Sequence, residues 1–456
     1  MSAPICARKL LTPAGWLTDA TITVGDDGRI ISVGHDGFDA ASAVGTLLPG
    51  MANVHTHSFQ RAMAGLAERR GPSGSDDFWS WRQVMYRFLD LLTPEDIAAI
   101  AAQVQMAMAE AGYTSSGEFH YVHHQPDGSH YDEIAETSAS IMAASQDSGI
   151  GLTHLPVLYT YGGLGQRALG DGQKRFGCDP ETFERLFASI TGMSADMPAD
   201  FQLGVAPHSL RAVDRAGLDA CLALCPDGPI HIHAAEQVKE VEEVEAHLGA
   251  RPVRWLLENM PVDRRWCLIH ATHIDGREIA ELARSQAVAG LCPTTEANLG
   301  DGIFPAVEFL EAGGRFGIGS DSNIRLSVTE ELRALETSQR LKHRQRTLLA
   351  EEHTRSNGRY LYQHAAMSGA QAIGRDAGTI ERGKLADLIA LRDDVPFLDW
   401  PEPDQRIDSW IFGLEMPAVS DVWAAGRHIV KNGNHCRGEA IGRRFSQTMN
   451  RLKQAL

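Results

Sequence analysis

Eight short apolar runs, each closing on polar or ionisable residues, constrain this chain more than any other feature: TLLPGMANVHTH, YTSSGEFHYVHH, GLTHLPVLYTY, FQLGVAPHS, PIHIHAAE, WCLIHATH, AVAGLCPTT and RFGIGSDSN. Amphipathic stretches such as PEDIAAIAAQVQMAMAEAG and PVRWLLENM lie between them. Strand-like runs alternating with helical ones predict βα units around a parallel sheet. A closed (β/α)8 barrel needs eight of them, and its active site forms where the strands end. Ordinary polar loops account for Asp and Ser at such ends. They do not account for so many histidines.

The flanks read differently. DATITVGDDGRIISVG near the start has two β-branched runs around Gly-Asp-Asp-Gly, a hairpin signal. GTIERGKLADLIALR and DVWAAGRHIVKNG repeat that character near the end. The expected architecture is α/β: a (β/α)8 TIM barrel over 49–378 and a small β-sandwich domain from both termini, 1–48 and 379–440. A C-terminal helix would occupy 441–456.

The net charge of −17 disfavours nucleic acid and an anionic membrane as partners, because both require clustered Lys and Arg. It leaves room for a small anion, since screening lets one or two pocket arginines dominate locally. The seven cysteines form no CxxC pair, so a zinc ribbon and a disulfide framework are not indicated. With no apolar run near the ~18 residues of a membrane span, and no apolar leader segment, a cytoplasmic location is expected.

His55 and His57 stand two apart on one strand, so both side chains face the same way and can reach one metal ion. PIHIHAAE ends with His233 and Glu236, LIHATH contains His270, and GIGSDSN places Asp321 at the last strand end. Spacing alone leaves His231 open beside His233, and His273 open beside His270.

These pieces stand in the order HxH, HxxE, His, Asp, at the first, fifth, sixth and eighth runs. In this the chain resembles the amidohydrolase superfamily, specifically its mononuclear deaminase branch. The resemblance spans nearly the whole sequence. It implies that His55, His57, His233 and Asp321 hold one divalent metal ion per chain, zinc, and that the HxxE register selects His233. It further implies that Glu236 shuttles protons while His270 and Asp321 orient the attacking water, the nitrogen departing as ammonia. Binuclear relatives carry a bridging lysine on the fourth strand, and FQLGVAPHSL has none. Relatives are frequently dimers, so the resemblance admits a homodimer, while the sequence itself does not fix the oligomeric state.

A narrower resemblance rests on HTHSFQRAMAGLAE, DDFWSWRQVMYRFLDLLTPED, SGEFHYVHH, VAPHSLRAV and CPTTEANLGDG. These segments are similar to the formimidoylglutamate deiminases, which hydrolyse N-formimino-L-glutamate to N-formyl-L-glutamate and ammonia. That likeness implies a small anionic amidine substrate contacted by Gln60, Arg82, Tyr121, His208 and Arg211. Arg82, which follows a Trp-rich loop in the first βα connection, and Arg211 would take the carboxylates, for which a planar guanidinium is suited. Arg87 competes with Arg82 for that role. Glu118, His120, Glu296 and Asn298 carry no assignment, and YTYGGLGQRALGDGQKRF reads equally as a lid or an ordinary Gly-rich loop. Two other readings compete: a deaminase of purine, nucleoside or triazine rings, and an inactive binding protein of the same fold. The second should have lost its metal ligands, whereas every one is present here.

Overall fold

The computed structural model describes residues 4–68, 78–350, 355–400 and 402–455. All eight predicted barrel strands form. They run Met51–Thr56, Tyr113–His120, Gly151–Leu158, a split fourth strand (Gln202–Leu203 and Ala206–Pro207), Ile230–Ala234, Trp266–His270, Val288–Leu291 and Arg315–Ile318. Pairing is parallel throughout, and the spatial order is fifth, sixth, seventh, eighth, first, second, third, fourth. Bridges Val205–Ile230 and Ser209–His233 join the fourth strand to the fifth, closing the ring. The break falls at Gly204 and Val205, where the chain runs so close to the fifth strand that a side chain at Gly204 would meet the Pro229 carbonyl at 2.5 Å; Pro207, with no N–H for the ladder, ends the second piece.

Helices pack outside. The longest barrel helix, Pro94–Glu110, starts at Thr93, whose side chain accepts from Asp96 N while Asp96 returns the bond to Thr93 N. Its buried face, including Ile97, Ile100, Val104 and Met108, covers the barrel wall. Inside the barrel a small apolar cluster of Ala52, Val54, Cys267, Ile269, Val288, Cys292, Ala372 and Ile373 forms the floor.

The termini build a second, eight-stranded sheet with strands from residues 5–49 and 388–435. The Gly-Asp-Asp-Gly hairpin is there: Gly28 sits at φ +77, and a Cβ on it would meet Ala425 O at 2.4 Å. Within GTIERGKLADLIALR only Leu388–Leu391 is strand. Its earlier half turns at Gly378 (φ +87) and Gly383 (φ +90). The C-terminal helix runs Gly438–Ala455. All seven cysteines are free thiols, six of them buried. No described helix is long and apolar enough to cross a membrane.

A buried ion network ties this sheet to the barrel. Arg375 donates to Asp387 at 2.5 and 2.9 Å and to the Asp200 carboxylate at 2.8 Å, and Arg427 grips Asp200 at 2.7 Å twice. Burial would raise Asp200, but Arg427 and Arg375 together hold it at about 2. Gly151 makes room for the network, since a side chain there would stand 2.5 Å from the Arg375 guanidinium. Replacing Asp387 with Ala leaves Asp200 as the one carboxylate between two guanidiniums, one of them buried, so Asp387→Ala is expected to lower stability by about 3 kcal/mol in chemical denaturation. A loss below ~1 kcal/mol would show the network to be dispensable.

Candidate metal centre

The barrel delivers side chains from both ends of the sequence to one mouth. Asp321 N and Ser320 N donate to His55 O at 2.9 and 3.1 Å, and His57 N donates to Asp321 O at 2.9 Å, stitching the eighth strand end to the first. Several non-glycine residues at strand ends adopt left-handed backbone: Ala235 (φ 57), His270 (φ 69), Ala271 (φ 48) and Asp321 (φ 45). Such conformations cost of order 1–3 kcal/mol each and persist where surrounding structure enforces them. Here they turn the chain sharply, so that Glu236, His270 and Asp321 face the mouth rather than continue along the wall.

Three imidazoles converge. His55, His57 and His233 are buried, with ligating atoms mutually within 4.8 Å. His55 Nε2 lies 3.2 Å from His233 Nε2 and 3.5 Å from Asp321 Oδ1, and His57 Nε2 lies 3.4 Å from the same oxygen. Two imidazoles binding one zinc ion tetrahedrally at roughly 2.0–2.1 Å would have nitrogens about 3.3 Å apart.

Proton placement makes the case stronger. His57 Nδ1 donates to Phe119 O at 3.0 Å and His233 Nδ1 to His208 O at 3.1 Å. Burial drives all three histidines toward their neutral forms. Each of those two Nε2 atoms is therefore a bare lone pair, and the one on His57 faces a carboxylate oxygen with no proton between them. A cation among the four groups removes that repulsion. The Nδ1-to-carbonyl arrangement is the one that orients metal-bound histidines. Burial alone would raise Asp321, but hydrogen bonding with His55 and the nearby imidazoles keep it ionised, below the usual carboxylate range.

His270 Nε2 stands 3.8 Å from both Glu236 Oε1 and Asp321 Oδ2, too far for direct hydrogen bonds and suited to a shared water. Burial lowers its basicity, but Glu236, Glu296 and Asp321 lift it to about 10. Burial raises Glu236 to about 7, against the pull of His270 and Arg211. Glu240 fixes the turn that carries Glu236 by accepting from Glu236 N at 3.0 Å.

The competing histidines sit elsewhere. His231 Nε2 bonds to Ala372 O at 2.8 Å, deep in the barrel, and His273 Nε2 bonds to Asp301 O at 2.8 Å. His120 pairs with Thr137 at 3.0 Å, while Glu118 accepts from Ser58 N at 2.9 Å and so shapes the turn after His57.

A cavity opens beside the three imidazoles, lined by Gln60, Arg82, Tyr121, His208 and Arg211 as well as His57, His233, Glu236, His270 and Asp321. Gln60 Nε2 donates to Tyr121 Oη at 2.9 Å, and His208 Nδ1 contacts Ser209 Oγ at 3.0 Å. The Trp-rich stretch expected as a loop before Arg82 is helical where it is described: the helix Phe78–Leu89 carries Trp79, Trp81 and Arg82. Trp81, Met85, Phe88 and Leu89 supply the helical spacing. Asp76 and Asp77, which precede it in the Trp-rich segment, lie outside the described residues. Arg87, on the same helix, is exposed and takes no part.

Two lining or supporting groups escape sequence reading. Glu296 Oε1 contacts His270 Nδ1 at 3.2 Å and accepts from Cys292 N at 2.9 Å, holding the imidazole in place. Tyr159, after the third strand, lines the cavity next to Arg82. Asn298 points outward to Glu68 at 2.8 Å.

Residues 46–429 match the amidohydrolase family. The chain is 47% identical over 455 residues to the formimidoylglutamate deiminase of Pseudomonas aeruginosa, covering 99% of this chain and 100% of that one. It is 27% identical to a 5-methylthioadenosine/S-adenosylhomocysteine deaminase of Natronomonas pharaonis, over 86% of this chain and 85% of the relative. Among solved structures, an amidohydrolase from Brucella melitensis superposes with a TM-score of 0.94 at 46% identity, spanning 99% and 100% of the two chains. An adenosine deaminase from Xanthomonas campestris with bound zinc shares the fold, with a TM-score of 0.80 at 22% identity over 99% and 98%. Match and architecture agree over almost the full length: the chain belongs to the amidohydrolase family.

Proposed function

We propose that this chain is a formimidoylglutamate deiminase that works with a single zinc ion held by His55, His57, His233 and Asp321. The observation that carries the substrate reading is a pair of guanidinium groups lining the cavity, one with no carboxylate partner among the described residues and the other with only a distant one. Among the described residues no carboxylate lies within salt-bridge distance of Arg82, and the Glu240 oxygen nearest Arg211 is 4.0 Å away, leaving Arg211 Nε without a hydrogen-bond partner. Two cations beside a hydrolytic centre, neither closely paired with a carboxylate, suit a substrate with two carboxylates. The name of the Pseudomonas aeruginosa relative points the same way.

The donor set of three imidazoles and one carboxylate, with no lysine on the fourth strand, suits one borderline-soft ion. Such an ion, when bound, lowers the pKa of water toward ~7 and so supplies a nucleophile at neutral pH. His270 Nε2 and the Asp321 carboxylate orient the attacking water, and Glu296 keeps the His270 ring from turning away. Glu236 takes one water proton as oxygen bonds to the formimino carbon and delivers it to the imino nitrogen, which becomes an amine. It then carries the second proton, from the adduct's hydroxyl, to that amine as the C=O bond forms and the C–N bond breaks, releasing ammonia. A carboxyl poised at about 7 serves both halves of that transfer. Gln60, Tyr121 and His208 line the cavity beside the two arginines and complete the substrate contacts.

Ammonia release from N-formimino-L-glutamate, measured beside guanine and adenosine, tests the reading. Turnover of the first alone is expected. Silence on the first with turnover of either ring would reverse the substrate assignment.

A further inference from the structure

We propose that the Tyr159 hydroxyl donates a hydrogen bond to the same substrate carboxylate that Arg82 holds, an inference that rests on the dicarboxylate reading above. Tyr159 is 3 % exposed and sits edge-on to His208, ring centroids 4.5 Å apart, with its side chain on the cavity wall. Two N–H groups converge on its oxygen: Arg82 Nη2 at 2.8 Å and Gln173 Nε2 at 2.8 Å.

Neither neighbour can accept a proton in return. A guanidinium has donors only. The amide of Gln173 is fixed in orientation because its Oε1 accepts from Gly170 N at 2.9 Å, which turns the NH2 end toward Tyr159. The phenol is an acceptor in both bonds, so its own proton is left over. Buried tyrosine hydroxyls find acceptors, and the side of this one not occupied by Arg82 and Gln173 is the cavity. Two donors on the oxygen also polarise the O–H bond, which strengthens it as a donor. The acceptor that fits is the anion drawn in by Arg82, whose other aromatic neighbour, Tyr86, lies 5.4 Å from the guanidinium carbon. Tyr159 and Arg82 then form one carboxylate clamp, with Gln173 behind it.

Tyr159→Phe removes one oxygen and keeps the packing, so steady-state kinetics on this variant test the clamp. Three substrates are compared: N-formimino-L-glutamate and its two analogues lacking one or the other carboxylate. A hydrogen bond to a charged group is worth roughly tenfold to a hundredfold in affinity. The expected result is a KM rise of that size, with kcat within about twofold, for the parent substrate and for only one analogue, the one that keeps the carboxylate held by Arg82. An equal loss on all three substrates would assign Tyr159 a packing role, and no loss on any would remove it from the site. Either overturns the proposal. Should the wild-type protein hydrolyse none of the three, the substrate reading falls on its own. Glutarate titrated calorimetrically into both proteins then decides the clamp: it stands if wild type binds at least tenfold tighter, and falls if the two bind alike or neither binds.

Discussion

Glu236→Gln is expected to retain its metal and lose about 10²–10⁴-fold in kcat, the span a positioned general acid–base contributes. Glutamine has the same shape and can still accept a hydrogen bond, so the strained turn at Ala235 and the neighbouring His233 should be undisturbed. What disappears is the group proposed to carry protons from water to the departing nitrogen. Glu240 cannot replace it. That carboxylate is committed to the Glu236 backbone N–H and lies toward Arg211. Metal content and the unfolding midpoint are measured beside kcat. A variant turning over within about threefold of wild type would remove Glu236 from the proton path.

Removing the metal should have the larger effect. Dialysis against a strong chelator is expected to reduce turnover below detection and to lower the thermal midpoint, because the bare Nε2 lone pairs of His57 and His233 and the Asp321 carboxylate are then buried together without a cation. A ligand present at a thousandfold excess over its Kd stabilises the folded state by about 4 kcal/mol, and that increment is what the chelator withdraws. Adding zinc should restore activity. Magnesium should not, since it prefers an octahedron of oxygen ligands whereas three of the four donors here are imidazole nitrogens. Full activity in the stripped protein would contradict the proposed chemistry.

Much of this was legible in the sequence for a simple reason. Strand periodicity and polar strand ends are local, so eight βα units could be counted, and the donors at the strand ends follow from the barrel's construction. The order HxH, HxxE, His, Asp then separated His233 from His231 through a resemblance, where spacing alone could not. The structure gives the physical difference: His231 lies one layer deeper and spends its Nε2 on Ala372 O.

Other features could not be read locally. Glu296 and Asn298 are two residues apart on one short helix, and only the helix's docking decides that Glu296 reaches His270 while Asn298 reaches Glu68. Tyr159 looks like any aromatic following a strand until Arg82, 77 residues earlier, is brought against it. The helix carrying Arg82 did leave a trace, in apolar residues at Trp81, Met85, Phe88 and Leu89. The ion network through Arg375 depends on Asp200, 175 positions away, and carries no local signature.

The central claim is that His55, His57, His233 and Asp321, drawn from three distant strands, share one cation. Anomalous scattering at the zinc edge from crystals of the purified protein, paired with elemental analysis of the same sample, addresses it most directly. The account predicts a single peak bonded to the Nε2 atoms of those three histidines and to the Asp321 carboxylate, with one zinc per chain. A map with no peak there, or with two, would contradict it.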